Sequence, residues 1–197
     1  MVSYVDPEYE DTSKRRHRRD AREQAEARRR RYERNASMGH SEAVSAAKEA
    51  AFGLLDRRAR SVGELRQALE NRGFAADAVD AVIARLGELG LVNDEVYARD
   101  LARSLSDTRG LVGQALALQL RRRLLGEETI TRALAELDVD ERASALRLAK
   151  KKVRSCRNVE RRRALQRVGG FLARRGYPPS VAWEAAAQAW DAQEADE

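Results

Sequence analysis

Apolar residues recur along this chain at helical spacing, and the same arrangement is written three times. Arg72-Gly73-Phe74 aligns with Arg123-Leu124-Leu125 and with Arg175-Gly176-Tyr177, at offsets of 51 and 52 residues. Four residues before the middle position stand Leu69, Leu120 and Leu172; eight before it, Leu65, Leu116 and Val168. Six after it stand Val79, Ile130 and Ala182; ten after, Ile83, Leu134 and Ala186; thirteen after, Leu86, Leu137 and Ala189. Steps of four, four and three keep these residues on one face of a helix, and a period near fifty residues points to an array of supersecondary units.

Each unit reads as three helices: 43–57, 62–72 and 76–89; then 94–107, 112–123 and 127–137; then 141–154, 160–175 and 179–190. Ser61 and Glu64 have capping-box spacing, Asn93 precedes a helix as an N-cap, and Gly73 sits where a left-handed residue ends one. Pro178 and Pro179 suit a helix start. No alternating run of β-branched or aromatic residues suggests a strand. One such unit buries little apolar surface, so neighbours must stack. The expected fold is all-α: three tandem three-helix repeats in an elongated, curved array behind a charged, flexible N-terminal tail. The expected boundaries are tail 1–41, repeats 42–92, 93–139 and 140–191, and an acidic end 192–197.

Composition narrows the chemistry. The chain has 197 residues, 36% charged and 5% aromatic. A single cysteine, Cys156, leaves no internal disulfide and no Cys-based zinc site. The two histidines, His17 and His40, both lie in the tail, so a His-centred triad or metal cluster is hard to build. There is no Walker-type glycine loop. No apolar run approaches the roughly 18 residues of a spanning helix, and no apolar signal core opens the chain. These features lead us to expect a cytoplasmic, monomeric protein that is not an enzyme and carries no cofactor or metal.

The net charge of +6 conceals segregated blocks. Residues 1–11 hold four acids and no base; residues 14–34 hold eleven Lys/Arg against four acids. Residues 42–141 hold fourteen bases and eighteen acids. Residues 142–175 then hold thirteen bases against Glu160 alone, and 176–197 hold five acids and no base. Charge this one-sided weakens a compact state unless a counter-charged partner is present, so the third repeat is the main candidate interface. Its candidates are Lys150, Lys151, Lys152, Arg154, Arg157, Arg161, Arg162, Arg163, Arg174 and Arg175. Three consecutive lysines cannot share a helix face, and Arg161–Arg163 follow the turn after the lysine-bearing helix. Arg72, Arg123 and Arg175 each fall in a last helical turn, where a cation favours the dipole. Phe171 and Trp190 fall on core faces.

Leu89-Gly90-Leu91-Val92-Asn93-Asp94-Glu95-Val96-Tyr97-Ala98 resembles the signature that joins the first two repeats of the RecX family. Phe171-Leu172-Ala173-Arg174-Arg175-Gly176-Tyr177 resembles the joint between that family's last two helices, and the resemblance spans about residues 43–190. Two positions depart from it: Leu124 replaces a glycine, and Gln119 stands where a glutamate is expected. The resemblance implies a modulator of the RecA recombinase, acting in recombination, DNA repair and the SOS response. Such a protein binds the RecA filament on single-stranded DNA and suppresses filament growth, ATP hydrolysis and strand exchange. The basic blocks alone also fit a sequence-independent nucleic-acid-binding protein acting without RecA.

Overall fold

The computed structural model describes residues 7–156 and 159–195, with side chains from residue 20 onward; Arg157 lies outside the described residues. The described residues form helices and turns with no strand. The helices are α1 (Pro7–Ala36), α2 (His40–Leu55), α3 (Val62–Glu70), α4 (Ala76–Glu88), α5 (Asp94–Arg109), α6 (Gly113–Arg121), α7 (Glu127–Ala135), α8 (Glu141–Val153), α9 (Arg161–Ala173) and α10 (Pro179–Ala195). A 3₁₀ turn, Arg154–Cys156, follows α8. The helices α2–α4, α5–α7 and α8–α10 are the three repeats the periodicity predicts. The chain divides into two compact units: one runs to Ala59 and resumes over Glu64–Leu91, and the other holds Arg60–Gly63 and everything from Val92.

Most of the repeat positions are core positions, while Ile83, Leu134 and Leu137 are only partly buried. Leu65, Leu116 and Val168, and then Leu69, Leu120 and Leu172, are all fully buried. Val79, Ile130 and Ala182 on the third helices are buried as well. Phe74, Leu125 and Tyr177 plug the turn after each second helix. Much of the third repeat's core is alanine: Ala145 and Ala149 of α8 face Ala182, Ala185, Ala186 and Ala189 of α10. Small residues let helix backbones approach closely, so this packing relies on close contact more than on side-chain area. Tyr177, buried there, keeps its hydroxyl 2.9 Å from Ser144 Oγ, which satisfies a group that would be costly to leave unpaired.

Caps largely follow the sequence. Asn93 Oδ1 accepts from the amides of Glu95 (3.0 Å) and Val96 (3.1 Å). Asp140 caps α8 through the Ala143 amide. The Ser61 hydroxyl donates to the carbonyl of Arg123, while the Val62 amide donates to Asp94 Oδ1 at 2.8 Å.

The turn after each second helix has one geometry in all three repeats. Gly73 and Gly176 hold φ of 91° and 95°, and Leu124 adopts φ 55° although it is not glycine. In each case the carbonyl one residue earlier accepts a hydrogen bond from the segment upstream. Asn35 Nδ2 donates to Arg72 O at 2.8 Å, Ser61 Oγ to Arg123 O, and the Val112 amide to Arg175 O at 2.9 Å. Ser61 and Val112 are 51 residues apart, the repeat offset. The end of α1 therefore does for the first repeat what residue 61 does for the second and residue 112 for the third.

That contact attaches the end of α1 to the first repeat. Over residues 20–36 the chain is helical and exposed at every position except Asn35, which is 5% exposed. Hydrophobic periodicity missed the attachment because it uses no apolar stripe. It consists of a side-chain amide and a close backbone approach, in which a Cβ at Gly73 would overlap the Tyr32 carbonyl.

Three outcomes test this architecture by chemical denaturation. Leu→Ala at 69, 120 and 172 should each cost about 2–5 kcal/mol, and a negligible cost at any one would break the repeat equivalence. Gly176→Ala should cost more than about 1 kcal/mol, through a strained φ and a clash with the Val112 carbonyl. Leu124→Gly should be neutral or stabilise by about 0.5 kcal/mol, since it relieves a left-handed non-glycine residue against added chain entropy. Equal costs for these two substitutions would contradict the shared turn geometry. Deleting residues 1–30 should leave the midpoint unchanged, whereas Asn35→Ala should cost about 1–2 kcal/mol by leaving the Arg72 carbonyl without this donor.

Candidate cationic groove

Three of the seven arginines of the second repeat are spent on neighbouring glutamates. Arg99 pairs with Glu136 at 2.6 Å, Arg121 with Glu127 at 2.6 Å, and Arg132 with Glu95 at 2.9 Å. The Arg99 and Arg121 guanidiniums hold the carboxyls of Glu136 and Glu127 below the usual range, chiefly through these hydrogen bonds. The third repeat differs. Arg142 approaches Glu184 at 3.9 Å and Arg161 meets Asp191 at 3.0 Å. Lys150, Lys151, Lys152, Arg154, Arg162, Arg163, Arg167 and Arg174 have no acidic partner among the described residues.

Several of these cations converge on one open cavity of about 630 Å³. Its walls are Thr108, Arg109 and Leu111 at the end of α5, Gln119 of α6, Leu148, Lys151 and Lys152 of α8, and Phe171, Arg174 and Arg175 around the end of α9. No carboxylate lines it. An adjoining cavity of about 420 Å³ shares Lys152 and Arg174 and adds Arg167, Gln166, Ser155 and Cys156, again without an acid. Together they form a stretch of positive charge over an apolar floor.

The floor organises the charges. The guanidinium of Arg175 lies 3.7 Å from the Phe171 ring centroid, and Lys152 Nζ lies 5.8 Å from it. A cation over an aromatic face is attracted by the ring quadrupole. Arg175 Nε also donates to the Arg109 carbonyl at 3.1 Å, and its Nη1 donates to Phe171 O at 3.4 Å. These contacts hold Arg175 in place and tie the end of α5 to the end of α9. Gly110, at φ 61°, turns the chain after Arg109 and sits against the Leu148 side chain. Arg109, Lys151 and Arg174 complete the cationic lining. A wall of this kind can bind carboxylates or phosphates through charge-assisted hydrogen bonds. Its lining offers no nucleophile–base pair.

Nine of the ten residues singled out from the sequence are thereby sorted; the tenth, Arg157, lies outside the described residues. Lys151, Lys152, Arg174 and Arg175 come together in the groove. Lys150, Arg154, Arg162 and Arg163 are exposed but do not line it, and Arg161 is engaged by Asp191 on α10. Adjacent residues on a helix point about 100° apart, which is why Lys150 turns away from a wall that Lys151 and Lys152 share. Arg109, Gln119, Arg167 and Phe171 belong to the cavities and were not anticipated as site residues. Arg109 lies in a block of net negative charge, so block averages hid it. Phe171, read as a core residue, is only partly buried and lies against the Lys152 and Arg175 cations. Trp190 is buried as expected, while Trp183 is half exposed.

Comparison with known proteins identifies the fold. Residues 47–86 match the family model described as RecX, first three-helix domain, and residues 140–186 match RecX, third three-helix domain. The regulatory protein RecX of Amycolatopsis mediterranei is 39% identical over 149 residues, covering 75% of this chain and 85% of that protein. The regulatory protein RecX of Thermobifida fusca is 35% identical over 131 residues, covering 66% and 71%. A crystal structure of RecX from Lactobacillus salivarius superposes with a TM-score of 0.66 at 21% identity, covering 76% of this chain and 97% of that one. Three-helix repeats, buried repeat positions and these relatives agree, and the chain belongs to the RecX family of regulatory proteins.

Proposed function

We propose that this protein is a negative modulator of RecA, which binds the RecA–DNA filament and suppresses its growth, ATP hydrolysis and strand exchange. The observation that carries this reading is the acid-free groove on the third repeat, in a chain whose relatives are named regulatory protein RecX. Positive charge left uncompensated by the fold is available to a negatively charged partner, and a filament presents both acidic protein surface and phosphate. In this reading Lys151, Lys152, Arg174 and Arg109 make contacts while Arg175 holds the wall in place. The exposed cations Lys150, Arg154, Arg162 and Arg163 add long-range attraction. The protein acts as a cytoplasmic monomer by binding alone, with no cofactor and no reaction of its own. No helix among the described residues is long and apolar enough to cross a membrane.

Single-stranded-DNA-dependent ATP hydrolysis by RecA tests the reading. The protein should inhibit at ratios far below one per DNA-bound RecA. Reversing Lys151, Lys152 and Arg174 to Glu should raise the inhibitory concentration about ten-fold or more, since each charged contact is worth about 1.5–3 kcal/mol. The same reversal of Arg161, Arg162 and Arg163 should do less, because they lie outside the groove. Inhibition only at protein levels that coat the DNA would identify a plain DNA competitor instead. Absence of inhibition at any ratio would sink the proposal.

A further inference from the structure

Helix α1 has no role in the groove, and its fold does not account for its composition. Of the side chains at residues 20–36 only Asn35 is buried, so no core face explains this stretch of α1. The sequence of residues 14–34 carries eleven bases and four acids. Such a density on one exposed helix repels itself unless anions lie alongside. Arg29 and Arg30 pair with Glu33 and Glu26 one turn away, but exposed pairs of this kind contribute little and exchange readily. Arg22, Arg28, Arg31 and Arg34 have no acidic partner among the described residues.

We propose that α1 is a duplex-DNA-binding arm, secured at its C-terminal end by Asn35 on the Arg72 carbonyl and presenting these arginines to the phosphate backbone. This goes beyond the regulatory reading and rests on different residues. The occupant follows from charge and shape. An α-helix about 10–12 Å across fits a major groove about 12 Å wide. Arg22 to Arg34 spans about 18 Å at 1.5 Å per residue, against which a duplex sets roughly one phosphate per 1.7 Å of axis. Stacking on unpaired bases needs aromatic platforms. Tyr32 is the only aromatic in residues 20–36, and it sits at the anchor, with its backbone against Gly73. Recognition would therefore be by backbone charge and independent of base sequence.

The test compares the full chain with Arg22→Gln/Arg28→Gln/Arg31→Gln/Arg34→Gln, titrated against a labelled 20-base-pair duplex over a range of salt concentrations. All four residues are exposed, so circular dichroism and the thermal midpoint should be unchanged. Affinity at low salt should fall at least ten-fold, and the slope of log K against log salt should flatten by about 3–4, at about 0.9 per lost phosphate contact. The Lys151→Glu/Lys152→Glu/Arg174→Glu variant should keep the α1 contribution to that slope, so failure of the regulatory reading would not be confused with failure of this one. Duplex affinity and slope unchanged in the arginine variant would overturn the proposal. So would loss confined to polyglutamate, which would assign α1 to acidic protein.

Discussion

One backbone interaction recurs through this molecule, and the rest is arranged around it. A left-handed residue after the second helix of each repeat exposes the preceding carbonyl, and the segment upstream donates a hydrogen bond to it. A buried carbonyl left unpaired costs on the order of 1–3 kcal/mol, so each turn specifies that something must dock on it. The donors are chemically different: an asparagine amide, a serine hydroxyl and a backbone amide. What is conserved among the three is the acceptor and its geometry, which depend on φ and on space for a close approach. Gly176 lies against the Val112 carbonyl and Gly73 against that of Tyr32, both without room for a Cβ. In the second repeat the roles are exchanged: Leu124 supplies the bulk, and Gly63 opposite it supplies the room.

This joint also explains why cores so rich in alanine suffice. A three-helix unit with small side chains buries modest area, and a repeat array gains stability from interfaces between neighbours as well as from each unit. The large buried side chains are concentrated at the second helices, Leu65 and Leu69, Leu116 and Leu120, Leu172. Helices α3 and α6 carry the joint at one end and a docking segment at the other, and α9 carries the joint alone. Packing and hydrogen bonding are thus placed on the same element.

The groove is a consequence of the joint between α5–α6 and α9. Because Val112 docks on the Arg175 carbonyl, the end of α5 is held beside the end of α9, and the Arg175 guanidinium reaches back to the Arg109 carbonyl. Arg109 and Lys151, 42 residues apart in sequence, then share a cavity with Arg174. Within the second repeat Arg99, Arg121 and Arg132 are neutralised by glutamates, whereas residues 142–175 carry thirteen bases against Glu160 alone, so positive charge accumulates there. The uneven charge of the sequence becomes a localised surface through the packing.

The sequence by itself determined the three repeats, most of their buried positions and the excess of positive charge in the third, because periodicity and composition are local properties of the chain. It also pointed to Lys151, Lys152, Arg174 and Arg175. It could not separate them from Lys150 or Arg161, since charge blocks do not say which face of α8 meets the end of α9 or that Asp191 occupies Arg161. Arg109, Gln119 and Phe171 became site residues only through contacts across tens of residues. Leu124 shows the same limit: its side chain argues against a left-handed turn, and the shared docking geometry imposes one. The attachment of α1 through Asn35 was invisible for a related reason. It depends on one amide, one carbonyl and the absence of a Cβ at Gly73, none of which leaves a hydrophobic pattern, and only the tertiary structure brings the three together.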